Sequence, residues 1–179
     1  SQRVCRYESA DNIIGDKMGL RKIVTEGYES LYKKCRPVEN FDKRLELLAQ
    51  DLIDTLDNAD GVGLAAPQVG VTRRVVVVID DDDTSHIVLV NPKIVRSEGE
   101  QEFTEGCLSV PGVWGVTSRP AKVTVRAQNI KGEFFEITRE GRTAVCLCHE
   151  LDHLDGILFR KHVKRYVPEE ELFGGKDKK

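Results

Sequence analysis

Two histidines stand four positions apart in residues 149–153, where the sequence reads HELDH. Positions i and i+4 of an α-helix lie on one face, so the imidazoles of His149 and His153 can bind a single metal ion. Glu150 follows the first histidine, where its carboxylate can act as a base toward a water molecule at the metal. The pattern alone is loose, so a helix with two unrelated surface histidines is the alternative.

A catalytic metal site needs a third protein ligand and one open position. His162 follows the motif, but the extended pattern of zinc proteases requires a histidine closer to His153. Cys107 stands upstream in EGCLSVPG, whose Gly, Ser and Pro content predicts a loop with an exposed thiol. We therefore expect Cys107 to complete the site, and a purely structural cysteine is the alternative.

Composition limits the class of protein. The chain has 179 residues, of which 40% are hydrophobic and 32% charged, and its formal net charge is −3. These values are typical of one globular domain and give no global sign of binding to nucleic acid or to an anionic membrane. No apolar run approaches the roughly 20 residues of a membrane-spanning helix. Five cysteines without framework spacing favour a reducing compartment.

The elements that must position these residues are predicted from periodicity. Leucines, with Ala49 and Ile53, repeat at helical spacing after Asp42, which predicts an amphipathic helix that ends near Asn58. The other predicted elements are a loop over 61–70, a buried strand over 73–79, strands over 87–90 and 94–95, a hairpin around Lys131-Gly132 and a helix over 142–154. The predicted fold class is α+β, with antiparallel β-sheets around a central helix carrying HExxH and an N-terminal amphipathic helix.

Three regions are expected along the chain. Residues 1–17 precede the only methionine, Met18, and lack the apolar core of a signal peptide, which predicts a leader or extension outside the catalytic fold. A native extension that belongs to the protein is the alternative. Residues 18–165 are expected to form one catalytic domain, and residues 166–179 a charged, frayed tail.

Three separated motifs stand in the chain: GxGxAAxQ at 61–68, EGCxS at 105–109 and HExDH at 149–153. Together they resemble the motifs of the peptide deformylase family. RPVENFD at 36–42 and SRP at 118–120 are also similar, and the likeness covers residues 18–165. Cys148 departs from the glutamine that many members carry before the first histidine. That side chain is expected to point away from the metal.

The resemblance implies one divalent metal ion held by Cys107, His149 and His153, with water in the fourth position. Thiolate and imidazole ligands suit Fe(II), Zn and Ni. The family implies Fe(II) in the cell, with Zn or Ni as possible replacements after purification.

The resemblance also implies roles for residues around the metal. Glu150 is the implied general base, and Gln68 and the backbone N–H of Leu108 are the implied donors to the oxyanion. Glu105 and Arg119 are implied as a paired acid and base that support the metal ligands without binding the metal themselves. The substrate is expected to lie against Gly61, Val62, Gly63, Val145 and Cys146. For Cys146, an ordinary core cysteine is an equal interpretation.

The implied activity is removal of the N-formyl group from the N-terminal methionine of newly synthesised proteins, with release of formate. The expected partners are N-formyl-methionyl nascent peptides, with transient ribosome association and no nucleic-acid or membrane partner. The expected compartment is the bacterial cytoplasm, or an organelle with formylated initiation.

Two competing interpretations concern the same residues. A general metalloprotease leaves the EGCLS and GVGLAAPQ motifs without a role. A binding module with a closed structural metal site would need a fourth ligand, and it leaves Glu150 without a task.

Overall fold

The computed structural model describes residues 19–173, which form an α+β fold of two antiparallel sheets and three α-helices. The helices are α1 (Lys43–Asn58), α2 (Gly141–Leu154) and α3 (Glu169–Phe173). The strands are β1 (Gly63–Ala65), β2 (Val75–Ile79), β3 (His86–Glu98), β4 (Gln101–Cys107), β5 (Val110–Arg119), β6 (Lys122–Gln128), β7 (Phe134–Glu140) and β8 (Val163–Tyr166). The predicted leader 1–17 and residues 174–179 of the predicted tail lie outside the described residues.

The two sheets meet at helix α2. One sheet has the strand order β1-β2-β3-β6-β7, and the other has the order β4-β5-β8. Helix α2 contacts β1 and β2 of the larger sheet and β4 and β5 of the smaller one. The α+β class predicted from the sequence is confirmed. Within residues 19–173, no helix combines the length and the apolar character needed to cross a membrane.

Helix α1 forms because its apolar residues repeat at helical spacing. The side chain of Asp42 caps its start and accepts a hydrogen bond from the Leu45 N–H at 3.1 Å. Leu48, Leu52 and Leu56 are buried on the helix face that packs against β2. The helix therefore supports the strand that lies beside β1.

Two stretches expected to be loops contain regular structure instead. Residues 61–70 contain strand β1 and a 3₁₀ helix, Ala66–Val69. In EGCLSVPG, Cys107 ends β4 and pairs with Val110 at the start of β5. The expectation was wrong because pairing with a neighbouring strand outweighs the loop preference of Gly, Ser and Pro. Cys107 is therefore held at the end of a β-hairpin.

The two strands expected over 87–90 and 94–95 are one strand, β3, with a bulge at Asn91. Asn91 has a φ of 50°, which asparagine tolerates better than most residues. Its side chain accepts a hydrogen bond from the Val38 N–H at 2.8 Å and donates one to the Val38 carbonyl at 2.9 Å. The bulge thus fastens the segment before α1 to the larger sheet.

Residues 166–173 are more regular than expected. Residues 166–173 belong to the predicted frayed tail, but they contain the last residue of β8 and helix α3. Helix α3 packs against β5 of the smaller sheet. This part of the tail therefore lies close to the strand pair that carries Cys107.

Candidate metal-dependent active site

Three potential ligands from two elements converge at the junction of the sheets. Helix α2 carries His149 and His153, and Cys107 ends β4. Their ligand atoms all lie within 4.8 Å of one another. The two Nε2 atoms are 3.2 Å apart, and Cys107 Sγ is 3.4 Å from His153 Nε2. One thiolate and two imidazoles at these distances fit a single transition metal ion and leave one position open.

The orientation of the His149 ring is fixed by Glu105 and Phe159. Its Nδ1 lies 2.8 Å from Oε1 of Glu105, which as a carboxylate accepts a hydrogen bond from Nδ1–H and leaves Nε2 free to bind a metal. The ring also stacks against Phe159, with centroids 5.9 Å apart. Phe159 was not predicted as part of the site, and no pattern in the sequence indicated it.

Glu105 is itself held by charged and polar partners. Arg119 donates to it through Nε at 2.8 Å and Nη2 at 3.0 Å, and the Thr117 hydroxyl donates a further hydrogen bond. Burial would raise the pKa of Glu105, but hydrogen bonds from His149 and Arg119 outweigh it and bring the pKa to about 2. Glu105 is therefore anionic at neutral pH, where it orients His149.

Asp152 extends this network toward the surface. Its Oδ2 accepts a hydrogen bond from Arg119 Nη1 at 2.7 Å and lies 3.0 Å from His162 Nε2. His162 is thus a partner of Asp152 and does not belong to the group of three potential metal ligands. Asp152 belongs to the HELDH motif, but the sequence did not indicate its contact with Arg119, a residue of β5.

The surroundings shift the pKa values of the two histidines in opposite directions. Burial would lower the pKa of His149, but the negative charge of Glu150 and the contact with Cys107 raise it well above its ordinary value. Burial and the neighbouring His149 lower the pKa of His153. The negative groups that attract a proton to His149 would also attract a metal cation. His153 is neutral, which is the form of histidine that binds a metal ion.

Glu150 is buried beside the ligands and packs closely on β1. Its side chain is 3% exposed, and burial raises its pKa to about 7. Its Oε1 has no hydrogen-bond partner among residues 19–173. A Cβ at Gly63 would lie 2.9 Å from the Glu150 carboxyl carbon and 2.8 Å from Cys146 Sγ. Glycine is needed at position 63 because the carboxylate approaches the backbone there.

The side-chain amide of Gln68 is locked in one orientation. Its Oε1 accepts a hydrogen bond from the Ala65 N–H at 2.9 Å. Its Nε2 therefore points toward Ser109 Oγ at 3.1 Å and Cys107 Sγ at 3.7 Å. Ser109 is fully buried and was not predicted as a site residue, although it belongs to the EGCxS motif.

A cleft of about 920 Å³ opens onto these groups. The predicted residues that line it are Gly61, Val62, Gly63, Gln68, Glu105, Cys107, Leu108, Val145, Cys146, His149 and Glu150. A Cβ at Gly61 would lie 2.9 Å from Leu108 Cδ1, so this glycine also permits a close approach. His153 and Arg119 lie behind the lining, and Cys148 is buried outside the group of potential ligands.

This arrangement has the parts of a metal-dependent hydrolase. The ligand set leaves an open position, a buried carboxylate stands next to it, and an oriented amide can donate to developing negative charge. The cleft gives a substrate access to all three.

Comparisons with known proteins agree with that class. Residues 20–169 match the family model described as polypeptide deformylase. The peptide deformylase of Caldicellulosiruptor bescii is 53% identical over 155 residues, which cover 87% of this chain and 92% of that protein. The chain belongs to the polypeptide deformylase family, whose members remove the N-formyl group from the N-terminal methionine of nascent proteins. The resemblance seen in the sequence is thereby confirmed.

Solved structures are similar as well. The crystal structure of a peptide deformylase from Legionella pneumophila is 50% identical, with a TM-score of 0.77, and the match covers 81% of this chain and 86% of that one. The Met-Ala-Ser-bound crystal structure of class I type b peptide deformylase from Acinetobacter baumannii is 31% identical, with a TM-score of 0.76. That match covers 80% of this chain and 98% of the other.

Proposed function

We propose that this chain uses one metal ion, bound by Cys107, His149 and His153, to hydrolyse the N-formyl group of nascent proteins and release formate. The observation that carries the proposal is the convergence of these three ligands beside the buried Glu150, in a chain of the deformylase family. In this proposal α2 is the central helix of the site, and α1 is the amphipathic helix that supports β2.

The ligand chemistry supports a borderline transition metal. A thiolate and two imidazoles suit Fe(II), Zn and Ni better than Mg or Ca, which prefer oxygen ligands. We propose Fe(II) in the cell, with Zn or Ni after purification. When bound, the metal supplies a Lewis acid that polarises the formyl carbonyl and acidifies water.

Glu150 acts as the general base and then as the general acid. Its pKa of about 7 lets the carboxylate take a proton from the attacking water near neutral pH. The protonated carboxyl then passes that proton to the nitrogen of the leaving amine. Burial keeps other water away from the carboxyl, so the proton stays at the reacting groups.

Two donors stabilise the negative charge that develops on the formyl oxygen. The Gln68 amide is held with its Nε2 on the side of Cys107. The backbone N–H of Leu108 belongs to the turn that follows Cys107, and Leu108 lines the same cleft. A single donor of this kind is typically worth about 3–4 kcal/mol in the transition state.

The substrate methionine and its backbone have separate contacts. Val62, Val145 and Cys146 line the cleft beside the ligands and form the methionine pocket in this proposal. Strand β1 is an edge strand of the larger sheet, so the peptide can pair with the backbone at Gly61 and Gly63. The Acinetobacter relative bound to Met-Ala-Ser supports a peptide that begins with methionine.

The proposed partners are N-formyl-methionyl nascent peptides, and transient ribosome association follows from that substrate alone. The proposed compartment is the bacterial cytoplasm, which agrees with the bacterial origin of the relatives named above. An organelle with formylated initiation is the alternative compartment.

A choice of substrates tests the proposed function. We expect rapid hydrolysis of formyl-Met-Ala, much slower hydrolysis of formyl-Asp-Ala, almost none of acetyl-Met-Ala and no cleavage of an unmodified peptide. The formyl carbon carries only hydrogen, whereas an acetyl methyl would displace the carbonyl, and a misplacement near 1 Å can cost about 10²-fold in rate. Comparable rates on acetyl-Met-Ala, or cleavage of the unmodified peptide, would exclude deformylation as the function.

A further inference from the structure

Residues 24–30, the strap, connect the two motifs that carry the proposed oxyanion donors. The Val24 N–H donates to the Gln68 carbonyl at 2.8 Å, and the Glu26 N–H donates to the Ser109 carbonyl at 2.8 Å. Gln68 ends the GxGxAAxQ motif, and Ser109 directly follows Leu108 in EGCxS. The strap therefore bridges two residues that are 41 positions apart in the chain.

Side chains bridge the same two motifs on the side of the site. Gln68 Nε2 donates to Ser109 Oγ at 3.1 Å, and together with the two strap contacts this hydrogen bond closes a ring. Gln68 and Ser109 are 1% and 0% exposed, so a broken contact would leave a buried polar group without its partner. The ring therefore fixes the separation between the Gln68 amide and the turn that contains the Leu108 N–H.

Ser30 attaches the strap to the turn that carries Gln68. Ser30 is 6% exposed, and its hydroxyl donates to the Pro67 carbonyl at 2.8 Å. The same carbonyl accepts a hydrogen bond from the Gly70 N–H at 3.1 Å, within the 3₁₀ turn Ala66–Val69. The Pro67 carbonyl belongs to the peptide unit that joins Pro67 to Gln68, so the Ser30 hydroxyl holds the backbone from which the amide donor extends.

The strap is anchored in an apolar cluster beside the metal ligands. Val24 of the strap and the next residue after it, Leu31, pack there with Val110, Leu158 and Phe159. Phe159 also stacks on His149. The strap thus rests on the part of the core that supports the site. No strap residue is among the described residues that line the cleft, so the strap acts on the reaction only through the residues it holds.

We propose that Ser30 is a positioning residue for hydrolysis, which keeps the Gln68 amide where negative charge develops on the formyl oxygen. This inference rests on the proposed function. A donor to an oxyanion is effective only at about 2.7–3.1 Å from the place that the oxygen takes in the transition state. Without the Ser30 hydroxyl, the peptide unit before Gln68 loses one of the two donors to its carbonyl, and Nε2 leaves that range. Ser30 therefore affects the transition state more than substrate binding.

Ser30→Ala tests the inference in two backgrounds, the wild-type enzyme and Gln68→Ala. In the wild-type background kcat for formyl-Met-Ala should fall about three- to tenfold, a fraction of the effect of losing an oxyanion donor outright, and KM should change less than about twofold. In the Gln68→Ala background, Ser30→Ala should change kcat by less than about twofold, because the amide that it positions is already absent. Metal content, measured by elemental analysis, should be the same in all four proteins.

Two further variants separate positioning from a general loss of stability. Ser30→Thr keeps the hydroxyl and should keep kcat within about twofold of the wild-type value. Thr124→Val removes a hydroxyl from a residue that is 4% exposed and forms a 2.8 Å hydrogen bond with Thr138. Its neighbours in β6, Val123 and Val125, pack in the core with α2, so the Thr124 side chain points away from α2. Thr124→Val should reduce resistance to urea about as much as Ser30→Ala does and leave kcat unchanged.

The outcomes separate this inference from the proposed function. The inference alone is overturned if the wild-type enzyme hydrolyses formyl-Met-Ala and Ser30→Ala keeps its kcat, changes KM only, or lowers kcat by the same factor in both backgrounds. It is also overturned if Ser30→Thr or Thr124→Val loses as much kcat as Ser30→Ala. If the wild-type enzyme leaves formyl-Met-Ala intact, the proposed function fails and this inference fails with it.

Discussion

Two arginine–carboxylate pairs in the molecule have nearly the same geometry but different surroundings. Arg119 donates to Glu105 through Nε and Nη2 at 2.8 and 3.0 Å, and Arg139 donates to Asp80 through the same atoms at 2.7 and 2.9 Å. The side chains of the first pair are 5% and 3% exposed, and those of the second pair are 25% and 23% exposed. The first pair lies behind His149, and the second ties the turn after β2 to β7.

Burial decides what each pair does. A partner removed from a buried pair leaves a charge that water cannot reach, which costs roughly 3–5 kcal/mol. A pair near the surface contributes about 0–1 kcal/mol, because water replaces the lost partner. The buried pair also keeps Glu105 anionic and thereby orients His149, whereas Asp80 orients no potential metal ligand. Equal geometry therefore gives unequal consequences. Arg119→Met and Arg139→Met test this difference directly, and Glu150→Gln and Gln68→Ala test the groups beside the buried pair.

The largest effect is expected for Glu150→Gln, which changes a buried carboxylate that has no arginine partner among residues 19–173. The variant keeps the shape of the side chain but cannot take a proton, so kcat should fall on the order of 10²- to 10⁴-fold. Metal content, measured by elemental analysis, should not change. Asp80→Asn removes a surface carboxylate as the matched control and should keep wild-type kcat. Full turnover by Glu150→Gln would remove Glu150 from the mechanism.

Arg119→Met should lower the free energy of unfolding by roughly 3–5 kcal/mol, because Glu105 would remain buried without its partner. Metal affinity, measured by competition with a chelator, should fall about 10- to 100-fold as His149 loses its fixed orientation. Adding Glu105→Gln to Arg119→Met should restore part of the stability, since the buried unpaired carboxylate of Glu105 is removed, whereas Asp152, the other partner of Arg119, is 24% exposed and reaches water. A double variant less stable than Arg119→Met would show that the unpaired charge is not the source of the loss.

Gln68→Ala should lower kcat on the order of 10²- to 10³-fold and change KM much less. The amide hydrogen bond strengthens only as negative charge develops on the formyl oxygen, so its loss affects the transition state more than the bound substrate. Steady-state kinetics with formyl-Met-Ala measure both constants. A rise in KM with kcat unchanged would make Gln68 a residue that binds the substrate in its ground state.

The smallest effect is expected for Arg139→Met, the surface counterpart of Arg119→Met. Unfolding in urea should show a loss of about 0–1 kcal/mol, and kcat should equal that of the wild-type enzyme. High salt should reduce the difference further, because it screens exposed charges. A loss as large as that of Arg119→Met would mean that burial is not the cause of the contrast.

Local features of the molecule could be predicted well from the sequence. The helical spacing of His149 and His153 indicated that they share one helix face, because the period of an α-helix is set by backbone geometry over a few residues. The leucine repeat after Asp42 and the hairpin around Lys131-Gly132 depend on equally local preferences. The prediction of a loop around Cys107 was wrong because Cys107 belongs to a strand pair, and the conformations of the paired residues depend on the rest of the sheet.

The sequence by itself determined the chemistry that is available: two imidazoles at helical spacing, a carboxylate directly after the first of them and a thiol in a motif that resembles a known family. The tertiary structure alone decided that Arg119 of β5 reaches Asp152 of α2, that Ser109 meets Gln68, and that Leu172 lines the cleft. These contacts join residues far apart in the chain, and burial, which raises the pKa of Glu150, exists only once both sheets enclose α2. A backbone period is encoded within a few residues, whereas the dielectric environment of a side chain is a property of everything packed around it.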